Sequence, residues 1–258
     1  VVLVGGLEKM TDLPTAAVTD ALASAADTLF EIPAGFTFPG FYATMATAYM
    51  DKYHADPDAF LRVAIKNHEN GALNDKAQFN QTIKDVMAGK KAKAEQKGQP
   101  VPTWETEMDF LKDSKANPMI AWPLRLFDCS PVSDGAAAVL LVSEDVVSKY
   151  TDHPIYVAGI GQASDGALAE RESLTEVPSA AKAAAQAYEM AGISPADIDF
   201  AEVHDCFTIA EIMASEDLGF FPRGEGWKVA MEGKTSRTGE HPINPSGGLK
   251  AKGHPVGA

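Results

Sequence analysis

The stretch ADIDFAEVHDCFTIAEIMASEDL, residues 196–218, changes from a strand pattern to a helix pattern without a break. Its apolar residues predict a short buried strand from Ile198 to Val203 and then a helix from Cys206 to Leu218. His204 and Cys206 fall at the junction, at the end of a strand where open α/β folds place reactive groups. On this stretch alone, a core cysteine beside a hydrogen-bonded histidine explains the pattern as well as a catalytic pair does.

Composition permits an enzyme and argues against two classes of binding protein. The 258 residues include 22 basic and 36 acidic side chains, a net charge of −14. That balance argues against a general binder of nucleic acid or of an anionic membrane, although a few local cations would suffice for an anionic ligand. Cys129 and Cys206 form no disulfide framework, and these residues contain neither a signal-peptide pattern nor an apolar run of membrane-spanning length. We therefore expect a cytoplasmic protein.

The remaining sequence predicts two α/β blocks with a polar segment between them. Lysines alternate with acids over residues 84–118, so we expect a solvated excursion and no nucleic-acid patch. Helices are predicted at residues 41–54, 59–74 and 177–191, the last stopped by Gly192. Strands are predicted at residues 1–4, 139–143 and 153–166, with a Gly-Ala helix start just before 139.

The first residues have the pattern of an internal strand. VVLVGG, residues 1–6, opens on four apolar residues, which is typical of a strand covered on both faces. Left as an edge, such a strand would expose unpaired backbone groups. We therefore expect partner strands upstream and interpret the 258 residues as a segment of a longer protein. The segment alone is expected to aggregate or to bind an upstream partner fragment, and to be inactive.

The last fifteen residues, NPSGGLKAKGHPVGA at 244–258, form the second chemical motif. Four glycines and two prolines predict a tight loop that is neither helix nor strand. A histidine held stiffly on such a loop, His254, suits catalysis or anion binding, but an ordinary turn with a surface histidine is also possible. A metal site made of His204, Cys206 and His254 would lack a fourth ligand at any recognised spacing, so no metal is predicted.

Together the motifs resemble those of the thiolase superfamily. Residues 244–258 are similar to the family's Gly-His-Pro-x-Gly loop, and HDCF (204–207) resembles the variant found in sterol-carrier-protein-type and archaeal thiolases. SDGAAAVLLVSE (133–144) and GGLEKM (5–10) match in the same order, and the resemblance covers essentially the whole chain except the lysine-rich insertion near 88–118. It implies an α/β fold of the thiolase-type layered α/β/α/β/α kind, built from two similar halves. The implied parts are residues 1–12 with 120–150 in the N-terminal half, 13–119 as an inserted loop domain, and 151–258 as the C-terminal half.

The resemblance implies an acyl-CoA thiolase, specifically an acetyl-CoA C-acetyltransferase. Such an enzyme condenses two acetyl-CoA molecules to acetoacetyl-CoA or runs the reverse thiolysis of 3-oxoacyl-CoA, with coenzyme A thioesters as substrates and no permanently bound cofactor. Cys206 would be the acid/base thiol. His254 would activate the acylated cysteine and, with His204, form an oxyanion hole. Phe207 would pack beneath the site.

Other positions receive weaker roles. Ser246, Gly247 and Gly253 are the candidate residues for binding coenzyme A, with loop shaping as the alternative for the first two. The candidate contacts to its phosphates are Arg171, Lys182, Lys250 and Lys252. The remaining histidines are expected at the surface: His54, His153 and His241 in loops, and His68 on a solvated helix, with a place at the border of the site as its alternative.

Two departures from the family pattern bear on activity. The acylated cysteine lies upstream of the position that Val1 matches, and Cys129 matches a structural position, so it is predicted to be a buried core thiol. The family's final strands, which follow GHPVGA, are also outside the sequence. These departures keep two alternatives open: a non-catalytic thiolase-fold protein that binds acyl-CoA or steroid-CoA or acts as a scaffold, and a steroid-CoA retro-aldolase.

The resemblance also implies partners. Family members are dimers or tetramers, so a homo-oligomer is expected. The archaeal branch associates with hydroxymethylglutaryl-CoA synthase through a small OB-fold, zinc-ribbon protein, which would connect this protein to the mevalonate pathway and lipid metabolism.

Overall fold

The computed structural model, which describes residues 1–258, contains two small antiparallel sheets and a larger number of helices. The first sheet pairs β1 (Val2–Glu8) with β4 (Gly135–Leu141), in a continuous register from Val2 opposite Leu141 to Glu8 opposite Gly135. β2 (Met119–Ala121) and β3 (Leu124–Arg125) form a short hairpin. The pairing of β1 with β4 makes the intervening residues a long excursion from one sheet.

Ten helices account for most of the regular structure. They are α1 (Thr15–Ala23), α2 (Phe38–Tyr53), α3 (Asp58–Gly71), α4 (Ile83–Gln96), α5 (Glu107–Lys112), α6 (Glu144–Val147), α7 (Pro178–Ala191), α8 (Thr208–Asp217), α9 (Gly226–Met231) and α10 (Gly248–Lys252). The predicted helices correspond to α2, α3, α7 and α8 and are confirmed. Gly192 ends α7 with φ of 69°, a left-handed conformation that glycine adopts without steric cost. No helix is both long enough and apolar enough to cross a membrane.

The main core forms where α2, α3 and α8 pack together. Tyr49 from α2, Phe60 from α3 and Ile209 with Met213 from α8 are almost completely buried in it. Each large apolar side chain buried in this way contributes about 1.5–3 kcal/mol to folding. Because Cys206 and Phe207 belong to the same cluster, the start of α8 is fixed by core packing.

A second core corrects the prediction that residues 84–118 are a solvated excursion. Ile83 and Met87 of α4 pack with Phe110 and Leu111 of α5 against the far side of α3. Both helices begin at a capping box, in which a threonine hydroxyl accepts from a backbone amide three residues later. The lysines of α4 lie mainly on its outer face. The segment therefore folds as two amphipathic helices.

The predicted strands at residues 153–166 and 198–203 do not form. Ile155 is 97% exposed, and the backbone N–H of Gln162 donates to the Gln186 side chain of α7. In the second segment, the sole strand-like contact is an isolated parallel bridge between Ala201 and Ile243. A strand requires a neighbour to receive its backbone hydrogen bonds, and no neighbouring strand lies beside either segment within residues 1–258.

Two smaller predictions of secondary structure are also wrong. The Gly-Ala stretch that begins at Gly135 is the start of β4 instead of a helix. The loop at residues 244–258 contains the one-turn helix α10.

The β1–β4 sheet leaves apolar side chains exposed. Leu3 and Leu7 are 72% and 75% exposed, and Val139 and Leu140 of β4 are also exposed. This does not match the strand covered on both faces that VVLVGG predicts. The upstream strands and the domain boundaries stay predictions.

Candidate active site

The segment at residues 129–133 holds the two chemical motifs together. Cys129 forms an antiparallel bridge with Phe207, and the Ser130 N–H donates to the carbonyl of Cys206 at 2.8 Å. Ser133 receives a hydrogen bond on its hydroxyl from the backbone N–H of His254, at 2.9 Å. The HDCF turn and the GHP turn therefore lie on either side of one extended segment.

His204 and His254 face each other across this junction. Their ring centroids are 4.9 Å apart and the rings are nearly perpendicular. Burial, and then the neighbouring His204, lower the pKa of His254 to about 4. Partial burial of the ring also lowers the pKa of His204, although the residue as a whole is exposed. At neutral pH both rings are uncharged, and each keeps one N–H that can donate to a ligand oxygen.

Cys206 lies immediately before α8 and is 5% exposed. Burial raises the pKa of its thiol to about 12, although a hydrogen bond with the Tyr42 phenol acts in the opposite direction. The resting thiol is therefore protonated. Tyr42 also stacks on Phe207 at 4.7 Å, so Phe207 packs under the turn as predicted. The thiol thus neighbours Tyr42 and Cys129, whereas the two imidazoles contact each other.

Cys129 behaves as a structural thiol. It is half-buried against the main core, and its Sγ donates to the carbonyl of Arg125 at 3.3 Å. Burial, together with the adjacent Asp128, raises the pKa of Cys129 to about 12. A thiol this reluctant to ionise is a poor nucleophile.

The residues predicted to bind coenzyme A have structural contacts of their own. Ser246 donates through both its backbone N–H and its hydroxyl to Glu202, at 2.9 and 2.7 Å. Gly247 has φ of 103°, and a Cβ there would come within 2.7 Å of the Gly71 backbone. Gly253, with φ of 108°, is similarly tight against Ser133. The close packing of Gly247 and Gly253 explains why glycine occupies these two positions. A role for them or for Ser246 in binding coenzyme A stays a prediction.

Lys250 is not available for a phosphate on the surface, contrary to the prediction. It is 2% exposed, and its Nζ lies over the rings of Phe79 and Phe127. Burial lowers the pKa of this lysine. Lys252 is partly exposed and lies 3.4 Å from Glu202.

The remaining candidate phosphate contacts and histidines differ in their exposure to solvent. Arg171 is half-buried, whereas Lys182, His54 and His153 are exposed, and His241 is partly buried.

His68 is also placed differently from its prediction. It is 1% exposed instead of solvated, and its ring lies between Phe79 and Phe127. Burial, and then repulsion from Lys250, lower the pKa of His68 to about 3. It is a buried neutral side chain, because the face of α3 that carries it is covered by the second core.

A buried polar network beside the site was not predicted. The carboxylate of Glu211 on α8 accepts from Lys66, Asn67 and Asn244, at 2.5, 2.8 and 2.8 Å. Asn67 also donates to Asp205 at 2.7 Å. The signal in the sequence is the run KNHEN at 66–70, which places polar residues on the inward face of an amphipathic helix. No group of three or more His, Cys, Asp or Glu side chains in residues 1–258 is arranged to hold a metal ion.

Two protein-family models match almost the whole chain. Residues 1–145 match "Thiolase, N-terminal domain", and residues 161–258 match "Thiolase C-terminal domain-like". Acetyl-CoA acetyltransferase from Methanothermobacter thermautotrophicus is 42% identical, in an alignment that covers 100% of this chain and 60% of that protein. Sterol carrier protein 2 from Bos taurus is 30% identical, with coverage of 100% of this chain and 45% of that protein. The chain thus spans 60% or less of the length of these relatives.

A solved structure agrees with these matches. The Ltp2-ChsH2(DUF35) aldolase superposes with a TM-score of 0.69 at 27% sequence identity, covering 90% of this chain and 55% of that one. The mixture of helices and strands is consistent with the two family matches. The chain belongs to the thiolase family, and its α/β fold is of the thiolase type.

Proposed function

We propose that the protein containing this chain is an acyl-CoA thiolase that acts as an acetyl-CoA C-acetyltransferase. The observation that carries the proposal is the pair of uncharged imidazoles, His204 and His254, whose ring centroids are 4.9 Å apart, with the buried thiol of Cys206 two residues after His204 in the same turn. The 42% identity to an archaeal acetyl-CoA acetyltransferase supports the same reaction.

In the acylation step, a cysteine thiolate outside these residues attacks the thioester carbonyl of acetyl-CoA. A new thioester forms on the enzyme and the carbon–sulfur bond to coenzyme A breaks. The protonated thiol of Cys206 suits the role of acid here, because it can give its proton to the departing sulfur of coenzyme A. The neutral ring of His254 supplies a nitrogen that hydrogen-bonds the reacting sulfur or oxygen.

In the condensation step, Cys206 is left as a thiolate and removes a proton from the methyl group of a second acetyl-CoA. The resulting enolate attacks the acyl carbonyl, a carbon–carbon bond forms, and the enzyme thiolate leaves. His204 and His254 are proposed to donate hydrogen bonds to the enolate oxygen. Removing one such donor typically lowers kcat about 10²–10³-fold.

We also propose the wider context of this reaction. Substrates are coenzyme A thioesters, without a permanently bound cofactor. The assembly is a homodimer or homotetramer in the cytoplasm that supplies the mevalonate pathway. The similar aldolase, Ltp2-ChsH2(DUF35), includes a second component in its name. This likeness supports the proposal that the protein also has a protein partner, such as hydroxymethylglutaryl-CoA synthase with an OB-fold zinc-ribbon protein.

The likeness to an aldolase favours a second candidate, a steroid-CoA retro-aldolase. The full-length protein should be incubated separately with acetyl-CoA and with a β-hydroxy steroid-CoA thioester. The thiolase proposal expects acetoacetyl-CoA from the first substrate and no cleavage of the second. Cleavage of the steroid thioester alone would favour the aldolase, and binding of either thioester without turnover would favour the non-catalytic alternative.

A further inference from the structure

Asp205 lies between the two proposed catalytic residues of the HDCF turn and is completely buried. One of its carboxylate oxygens accepts from the backbone N–H of Leu249 at 2.6 Å. The other accepts from the side-chain amide of Asn67 at 2.7 Å, with the Lys250 N–H at 3.4 Å. One carboxylate thus connects the HDCF turn, helix α3 and the first turn of α10.

The contact between Asp205 and α10 depends on a glycine. Gly248 has φ of 60°, and a Cβ at this position would overlap the carboxylate of Asp205. The close approach of the two segments is therefore built into the GGLKAKGHP loop. Because α10 ends at Lys252, only Gly253 separates this short helix from His254. Any movement of α10 would be passed directly to that imidazole.

The carboxylate is held by a rigid charged surrounding. Lys66 on α3, Glu211 on α8 and Lys250 on α10 are the charged groups that act on it. Glu211 is itself fixed by Lys66 and by Asn244, and Asn244 accepts the backbone N–H of Val203 on its side-chain oxygen at 2.8 Å. Buried networks of this kind favour one geometry, because each broken bond would leave a further buried polar group unpaired. In this network the side-chain oxygen of Asn67 is the one atom without a partner.

We propose that Asp205 is a positioning residue, whose carboxylate fixes α10 against the HDCF turn and so sets the separation of His204 and His254. Asp205 does not touch the reacting atoms. It acts through the two imidazoles, and in this sense the proposal rests on the proposed function. A residue that only stabilised the fold would change the free energy of unfolding without changing the separation of the His204 and His254 rings.

The test is Asp205→Asn in the full-length protein. The substitution keeps the shape of the side chain, but its NH₂ group must face an N–H donor, either Leu249 or Asn67. We expect kcat for acetyl transfer to fall about tenfold or more while KM for acetyl-CoA changes by less than about twofold, the signature of a geometry needed in the transition state. In ¹⁵N NMR titrations of the imidazoles, the midpoint of His254 should rise from about 4 towards the ordinary histidine value of about 6.5.

Asp217→Asn is the matched control. Asp217 is another buried aspartate, at the far end of α8, where it binds Arg223 and the Val177 N–H. This control should leave both kcat and the His254 titration unchanged. An Asp205→Asn variant with wild-type kcat and an unmoved His254 midpoint would overturn the proposal.

A measurement on the wild-type protein guards against a variant that fails to fold. The Leu249 N–H, bonded to a carboxylate at 2.6 Å, should exchange with deuterium far more slowly than exposed amides. Exchange at the rate of an exposed amide would also overturn the proposal. If wild-type protein makes no acetoacetyl-CoA, the proposed function fails, but the NMR titration and the amide exchange still decide the role of Asp205.

Discussion

Replacing Ser133 by alanine tests whether the 129–133 segment holds His254 in place. Ser133 is 2% exposed, and its hydroxyl accepts from the His254 N–H at 2.9 Å while donating to the Gln78 side chain at 2.5 Å. Gln78 is exposed and can turn to water. His254 is a half-buried residue, and its backbone N–H has no hydrogen-bond acceptor in the chain other than Ser133. The cost of Ser133→Ala is therefore mainly that of one unpaired buried donor, about 1–3 kcal/mol.

Urea unfolding of the full-length protein measures this cost, with Ser130→Ala as the control. Ser130 lies in the same segment and its side chain is partly buried, but its contact to the HDCF turn is made by the backbone N–H, which alanine keeps. We expect the control to change the free energy of unfolding by less than about 0.5 kcal/mol, as most substitutions away from special features do. If Ser133→Ala behaved like the control, the reasoning about His254 would be refuted.

Two further predictions test the corrected features of the fold. Phe110→Ala, in the second core, should lower the free energy of unfolding by about 3–5 kcal/mol. The control Phe30→Ala, at a side chain that is 74% exposed, should have little effect. Equal effects in urea unfolding would support the original prediction that residues 84–118 are a solvated excursion. His68 has a pKa lowered to about 3, so the unfolded chain binds its proton first and stability should fall as pH drops from about 6.5 to 3. A His68→Leu variant should show a shallower loss of stability over that range than wild type, and an unchanged slope would argue against the buried neutral ring.

Helices whose apolar residues repeat clearly at helical spacing could be predicted from the sequence, whereas helices with only a short apolar face could not. In α8 the apolar residues repeat at helical spacing, so the local pattern is enough to predict its position. In α4, Ile83 and Met87 form an apolar face only one turn long, surrounded by lysines. That face becomes significant only when α3 and α5 are beside it, which is tertiary information.

Strand patterns predicted extended backbone but not pairing. Residues 153–166 have alternating and small apolar side chains, yet Ile155 is almost fully exposed and no ladder forms. By contrast, Val2–Glu8 finds a partner in Gly135–Leu141, more than a hundred residues away. Sheet formation depends on such distant neighbours, so a local pattern cannot decide it.

The histidines of the candidate site could be predicted from the sequence motifs, whereas the buried polar network beside them could not. HDCF and GHP point to His204 and His254, and the two rings do face each other. The run KNHEN at 66–70 indicates an inward polar face that includes Asn67, but nothing in the sequence pattern marks Asp205 and Glu211 as buried, because charged side chains are usually exposed. The burial of these three side chains depends on hydrogen bonds that they make to one another and to Asn244 across two helices and two loop segments, an arrangement that no short stretch of sequence contains.

The most direct test of the proposed thiolase chemistry is exchange of the methyl protons of acetyl-CoA with solvent deuterium, followed by NMR or mass spectrometry. The full-length wild-type protein should catalyse this exchange. Cys206→Ala should still take up the acetyl group, although more slowly because it lacks the acid that protonates the departing sulfur, and it should lose the exchange. Cys129→Ala, which removes the neighbouring structural thiol, should retain the exchange. Exchange at the wild-type rate in Cys206→Ala would contradict the assignment of Cys206 as the thiol that moves the proton.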